Sequence, residues 1–315
     1  MSAEDTRKWK HSVSSLLERL DAALRWIGLE HGRAATYKKL VAEYSEGQRS
    51  NDHFFSYHQS MEVLIIYDAW EQEAINFPGL KEKISYVLKK GAILSEDETI
   101  SSNRPRNDGF VYILAGKLLH GSKVQIVSRD GCRNSGLSTV LPGKLFRNDI
   151  VILVEGEPIA IECKRPMSLT TLGENVGKAF QQISYGENPS GIIAVDVTKL
   201  IEQPGQYLDA ATLDRGADYL TDEVEKILVP VAAQYPQPTL LGFIGYASVP
   251  LISNVQSVIL DSQGKPFENE GFRTAGVAWV SIRNKKSPRG VLVHELQRGF
   301  LRSRHDVPKD AVPIR

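Results

Sequence analysis

The chain has 315 residues, 38 Lys and Arg against 38 Asp and Glu, and 42% hydrophobic residues. Such a balance gives no global attraction for a polyanion, so a nucleic-acid partner would have to be met by basic groups gathered locally. The composition excludes low-complexity and collagen-like chains. With two cysteines, no signal peptide and no apolar run of spanning length, the expectation is a cytoplasmic protein without a membrane contact.

Residues 1–94 read as all-helical. Leu16, Leu17, Leu20, Ala23, Leu24 and Ile27 form one amphipathic stripe, Val63 to Ile75 another, and Pro78-Gly79 breaks the chain before the next helix. This region carries no chemistry of its own and is expected to serve target recognition, homo-oligomerisation or a partner protein. The polar stretch Ser95 to Arg106 reads as a linker. A helix over 107–120 follows, with Phe110, Leu114 and Leu118 on its apolar stripe and Asp108 at its start, then a strand over 123–128. Between Arg129 and Arg147 the chain is a loop rich in Gly, Ser and basic residues.

The most informative segment comes next, NDIVILVEGEPIAIECKRP over 148–166. Residues 149–154 and 158–164 are short apolar strands separated by a tight turn at Glu155-Gly156-Glu157. If the loop is Gly156-Glu157, Asp149 lies opposite Lys164 and diagonal to Glu162; if it is Glu155-Gly156, Asp149 faces Glu162 directly. Either register puts Asp149, Glu162 and Lys164 on one face, because opposed residues share a face. The other face carries Ile150, Ile152, Val154, Ile159, Ile161 and Cys163. Strands apolar on both sides belong inside a covered sheet. Two acids and a lysine at their end would be costly to bury unless paired or metal-bound.

Phosphodiester hydrolysis needs such a trio. Two carboxylates hold a hard cation such as Mg²⁺, which keeps several waters and takes a phosphate oxygen. A lysine orients the attacking water or neutralises developing charge. Other templates fail: Gly136 to Lys144 lacks phosphate-loop spacing, and His294-Glu295 has Arg298 where a zinc-protease motif needs histidine. Cys132 and Cys163 are too few for a zinc or iron–sulfur site.

Residues 174–186 suit a helix stopped by Gly186, with Lys178, Gln181 and Tyr185 on one face and Val176, Ala179 and Ile183 on another. Gly191–Val197 makes a buried strand, completing a strand–helix–strand unit. Further on come a helix near 219–233, strands at 239–247, 255–261 and 274–282, and a basic helix over 283–304. In that last segment seven Lys and Arg face the single acid Glu295.

An acid early in one strand followed by E-x-K in the next, here Asp149 and Glu162-Cys163-Lys164, resembles the PD-(D/E)XK nuclease superfamily. It is the chain's only acid-x-Lys triplet. Asn148 stands where that pattern often has proline. Gln181-x-x-x-Tyr185 after E-x-K is similar to the RecB-type branch. The resemblance implies an α/β, restriction-endonuclease-like core in the order αβββαβ, its mixed central sheet flanked by helices, with the helical region in front. The core would span 107–250 and an extension 251–315. It also implies Mg²⁺, replaceable by Mn²⁺, held by Asp149, Glu162 and the backbone carbonyl of Cys163. Asp149, Glu162 and Lys164 would be catalytic, and Gln181, Tyr185, Lys178 and Arg165 would contact substrate. With Asp108 as the nearest first-helix acid, one metal is expected before two. The expected function is a metal-dependent nuclease acting on DNA, in restriction, phage defence or repair. The alternative is an inactive nucleic-acid-binding or scaffold protein that keeps the fold.

Overall fold

A computed structural model describes residues 9–10, 13–48, 50–94, 97–100, 102–121, 125–129, 132–135, 148–154, 157–184, 191–202, 208–210, 213–235, 240–260, 266–282 and 312–313. After a two-residue strand β1 (Trp9–Lys10) come the helices α1 (Val13–Ile27), α2 (Arg33–Ser45), α3 (Asn51–Trp70), α4 (Leu80–Lys89) and α5 (Arg104–Gly121). Ser50 caps α3 by accepting the His53 N–H at 3.4 Å, and Gly79, at φ 81°, turns the chain into α4 where Pro78 has ended the preceding turn. The strands β2 (Gln125–Arg129), β3 (Cys132–Arg133), β4 (Ile150–Val154) and β5 (Glu157–Lys164) follow, then α6 (Leu169–Ser184) and β6 (Gly191–Asp196). The chain closes with α7 (Thr198–Ile201), β7 (Leu208–Ala210), α8 (Leu213–Ala232), β8 (Leu240–Leu260), β9 (Pro266–Ile282) and β10 (Val312–Pro313).

One sheet runs in the order β3-β2-β4-β5-β6-β8-β7, with β9 also paired to β8. It is antiparallel from β3 to β5, parallel across β5, β6, β8 and β7, and antiparallel again at β9. The protein is therefore α/β with a mixed sheet between helices, as expected. Strand alternation divides the core. Ile150, Ile152, Ile159, Ile161, Cys163, Ile192 and Ala194 pack in one cluster with α1 to α5. Ile193, Val195, Phe243 and Ala247, on the opposite face, pack with Leu172, Val176, Ala179 and Ile183 of α6 and Val224 and Leu228 of α8.

Several expectations change. Within the stretch read as a linker, Glu98 is buried, Asn103 bonds across to the end of β5, and α5 already starts at Arg104. α5 is buried on every side from Gly109 to Leu118 rather than along one stripe, because it lies between the other helices and the sheet. α6 begins at Leu169, five residues before the expected start, where Ser168 and Thr171 cap each other: Thr171 N donates to Ser168 Oγ at 3.3 Å and Ser168 N to Thr171 Oγ1 at 3.2 Å. The strands expected at 239–247 and 255–261 are one strand, β8, with a register shift between Ser253 and Ser257, and it runs through the boundary placed at 250. The helical region carries the small strand β1, paired with β10. The basic segment 283–304 lies outside the described residues, as do Gly136–Arg147 and Tyr185.

Candidate active site

β4 and β5 pair with Ile150 opposite Ile161 and Val154 opposite Glu157. The connecting loop is thus Glu155-Gly156, and continuing the register by one step sets Asp149 against Glu162. This is the second of the two registers the sequence allows. β4 ends at Ile150, so the next ladder position on β5 needs another partner. Asp149 supplies it: its Oδ2 accepts the Cys163 N–H at 2.8 Å. A strand residue offers its N–H and C=O to the same edge, so the Cys163 carbonyl faces the same side as the Asp149 carboxylate.

Glu162 stands beside this edge with both oxygens engaged. Asn148 Nδ2 donates to its Oε1 at 2.7 Å, and Lys164 Nζ donates to its Oε2 at 3.2 Å. The same ammonium lies 3.8 Å from Asp149 Oδ2, so Lys164 bridges the two carboxylates. Side-chain exposure rises from 1% at Glu162 through 18% at Lys164 to 31% at Asp149, which makes Asp149 the open side of the site. Burial and then the Asp149 charge push the Glu162 carboxyl up to about 7, against the opposing pull of Lys164 and Asn148.

Two acids forced together in this way fit a divalent, oxygen-seeking ion, because a dication relieves the repulsion that hinders ionisation of Glu162. Asp149, Glu162 and the Cys163 carbonyl would hold it. Two carboxylates suit Mg²⁺, which keeps waters and takes phosphate oxygens, better than a cation needing an all-protein cage. Among the described residues no cluster of three or more metal-binding side chains occurs, and Asp108 is engaged with Arg104 at 3.7 Å on a helix packed against the other face of the sheet.

The structure gathers Asp149, Glu162, Cys163 and Lys164 but does not bring Lys178, Gln181 or Arg165 to them. Lys178 and Gln181 are exposed on the side of α6 turned away from Leu172, Val176, Ala179 and Ile183, hence away from the sheet. Arg165 is also displaced. It leaves the strand on the face opposite Lys164 and is buried against Glu98, Asn103 and Asp196, where it cannot meet a phosphate at the site.

Asn148 is a site residue that strict strand alternation conceals. Alternation would send it to the face away from Glu162, but Asn148 and Asp149 form a bend rather than strand, and the amide swings over. Comparison with known proteins finds no matching family model, no matching curated protein and no matching solved structure.

Proposed function

We propose that this protein is a metal-dependent nuclease whose reaction centre is Asp149, Glu162 and Lys164. The observation that carries the reading is a lysine ammonium lying between two carboxylates, one buried and one open, at the end of paired central strands. The order α5, β2, β4, β5, α6, β6 and the change from antiparallel to parallel pairing at β5 support a restriction-endonuclease-like core.

In this reading Asp149, Glu162 and the Cys163 carbonyl would hold Mg²⁺, which when bound would supply an acidified water and neutralise charge on a phosphate. Asp149 lies on the open side of that site, and Glu162 is buried with its orientation held by Asn148. Lys164 now bridges the carboxylates. Its ammonium would donate hydrogen bonds to the attacking water and to a non-bridging phosphate oxygen. DNA is the proposed substrate, with restriction, phage defence or repair as the setting.

The alternative of a binding protein that does not cut draws on one observation, the outward-facing Lys178 and Gln181. Labelled single- and double-stranded DNA and RNA, incubated with Mg²⁺ or Mn²⁺, separate the two. Wild type is expected to cut at least one of these substrates, and Asp149→Ala and Lys164→Ala to be slower by about 10²–10³-fold. No cutting together with no calorimetric metal binding would discard the catalytic reading, and full activity in both variants would move the site elsewhere.

A further inference from the structure

On the face of the sheet away from Glu162 and Lys164 lies a buried chain of charges. Arg165 Nε donates to Asp196 Oδ2 at 3.1 Å, while its Nη1 donates to Glu98 and, at 2.9 Å, to Asn103 Oδ1. Asn103 returns a bond from Nδ2 to the Arg165 carbonyl at 3.1 Å. Asp196 is fixed in turn, its Oδ1 accepting the Thr198 N–H at 2.9 Å. From Glu98 the chain extends to Arg106 Nε at 3.9 Å, from Arg106 to Glu62 at 3.6 Å, and from Glu62 to Arg33 at 3.0 Å. The side chains of Arg165, Glu98 and Asp196 are only 4%, 0% and 9% exposed.

Burying three arginines and three acids is a poor way to gain stability, since apolar packing of equal volume does as well or better. Their placement suggests another use. Arg165 directly follows Lys164, and neighbours on a strand point to opposite faces. Clamping both the side chain and the carbonyl of Arg165 fixes the backbone on which Lys164 stands, and a misplacement of about 1 Å at a reacting group can cost about 10²-fold in rate.

We propose that Arg165 is a positioning residue for Lys164, and that Glu98 and Asn103, from the segment between α4 and α5, hold it for that purpose. This rests on the catalytic role of Lys164 given above. The helical layer then becomes part of the reaction centre through the back of the sheet, without touching substrate.

The test uses the full chain with Arg165→Met, Glu98→Gln and Asn103→Ala. Two readouts are needed: kcat and KM for cleavage with Mg²⁺, and the ¹⁵Nζ NMR signal of Lys164, assigned by its loss in Lys164→Arg. The expected result is a tenfold or greater fall in kcat with KM within twofold, together with a changed Lys164 signal. The milder Glu98→Gln and Asn103→Ala variants keep the test open if Arg165→Met does not fold. Gly116→Ala, which crowds Ala69 and Trp70 at the crossing of α3 and α5 and touches none of the clamp residues, should lower Tm and leave rate and signal as in wild type. Folded variants of the clamp with lowered Tm but wild-type kcat and Lys164 signal would overturn the proposal. If wild type cuts nothing and binds no metal, the nuclease reading fails, and the Lys164 signal alone still decides whether Arg165 positions it.

Discussion

At the scale of single residues, two buried groups give the stability of this protein opposing pH dependences. Glu162 is harder to ionise folded than unfolded, its carboxyl being pushed from 4.5 up to about 7 by burial and Asp149. The folded state is therefore favoured below pH 4.5 and loses that advantage as pH rises through 7. Glu162→Gln should raise stability at pH 8 by up to about 3 kcal/mol and change little at pH 4, measured by urea unfolding without divalent ions. His58 acts the other way. Burial first, then the Arg106 charge, lowers it from 6.5 to about 4, so it is neutral in the folded protein and must be kept so. Its contribution is complete above pH 6.5 and is lost as pH falls through 4. His58→Gln should be least harmful near pH 4 and relatively more costly at pH 7, the difference reaching about 3 kcal/mol. Between pH 4.5 and 6.5 the two slopes run against each other, so wild type alone should look nearly flat there.

Among the elements, α3 and α5 cross in close contact. A Cβ on Gly116 would sit 2.5 Å from Ala69 Cβ, and Trp70 Nε1 donates to the Tyr112 carbonyl at 3.0 Å beside it. Gly116→Ala should destabilise by about 1–3 kcal/mol, since an overfilled contact must spread the helices. Adding Ala69→Gly should return part of that loss, and a double-mutant cycle by thermal melting reads the coupling. α6 offers a second check. Removing its cap with Ser168→Ala should cost about 1 kcal/mol and fray the first turn, seen as faster amide exchange at Leu172.

Over the whole molecule, what could be read from sequence follows period and parity. Asp149, Glu162 and Lys164 were legible together because a two-residue alternation and an even hairpin leave them no choice of face. The buried strand at Gly191 and the α6 core residues Val176, Ala179 and Ile183 were legible for the same kind of reason. The start of α6 was not, because Thr170, Thr171 and Gly173 are weak helix formers and the Ser168–Thr171 cap outweighs them. Glu98 and Arg165 are 67 residues apart, and no local pattern marks such a pair; a polar run between helices reads as linker until its partner across the fold is known. Asn148 and the inward turn of Arg165 likewise depend on where the strands end, which no periodicity encodes.

The proposed role of Asp149, Glu162 and Lys164 is to cut phosphodiester bonds with a divalent ion. It is tested most directly by the single-turnover cleavage rate of labelled DNA at saturating Mg²⁺, wild type beside Lys164→Met, with metal binding followed by calorimetry. Both proteins are expected to bind the ion, and the variant to be slower by about 10²-fold or more. Equal rates in the two proteins would contradict this role.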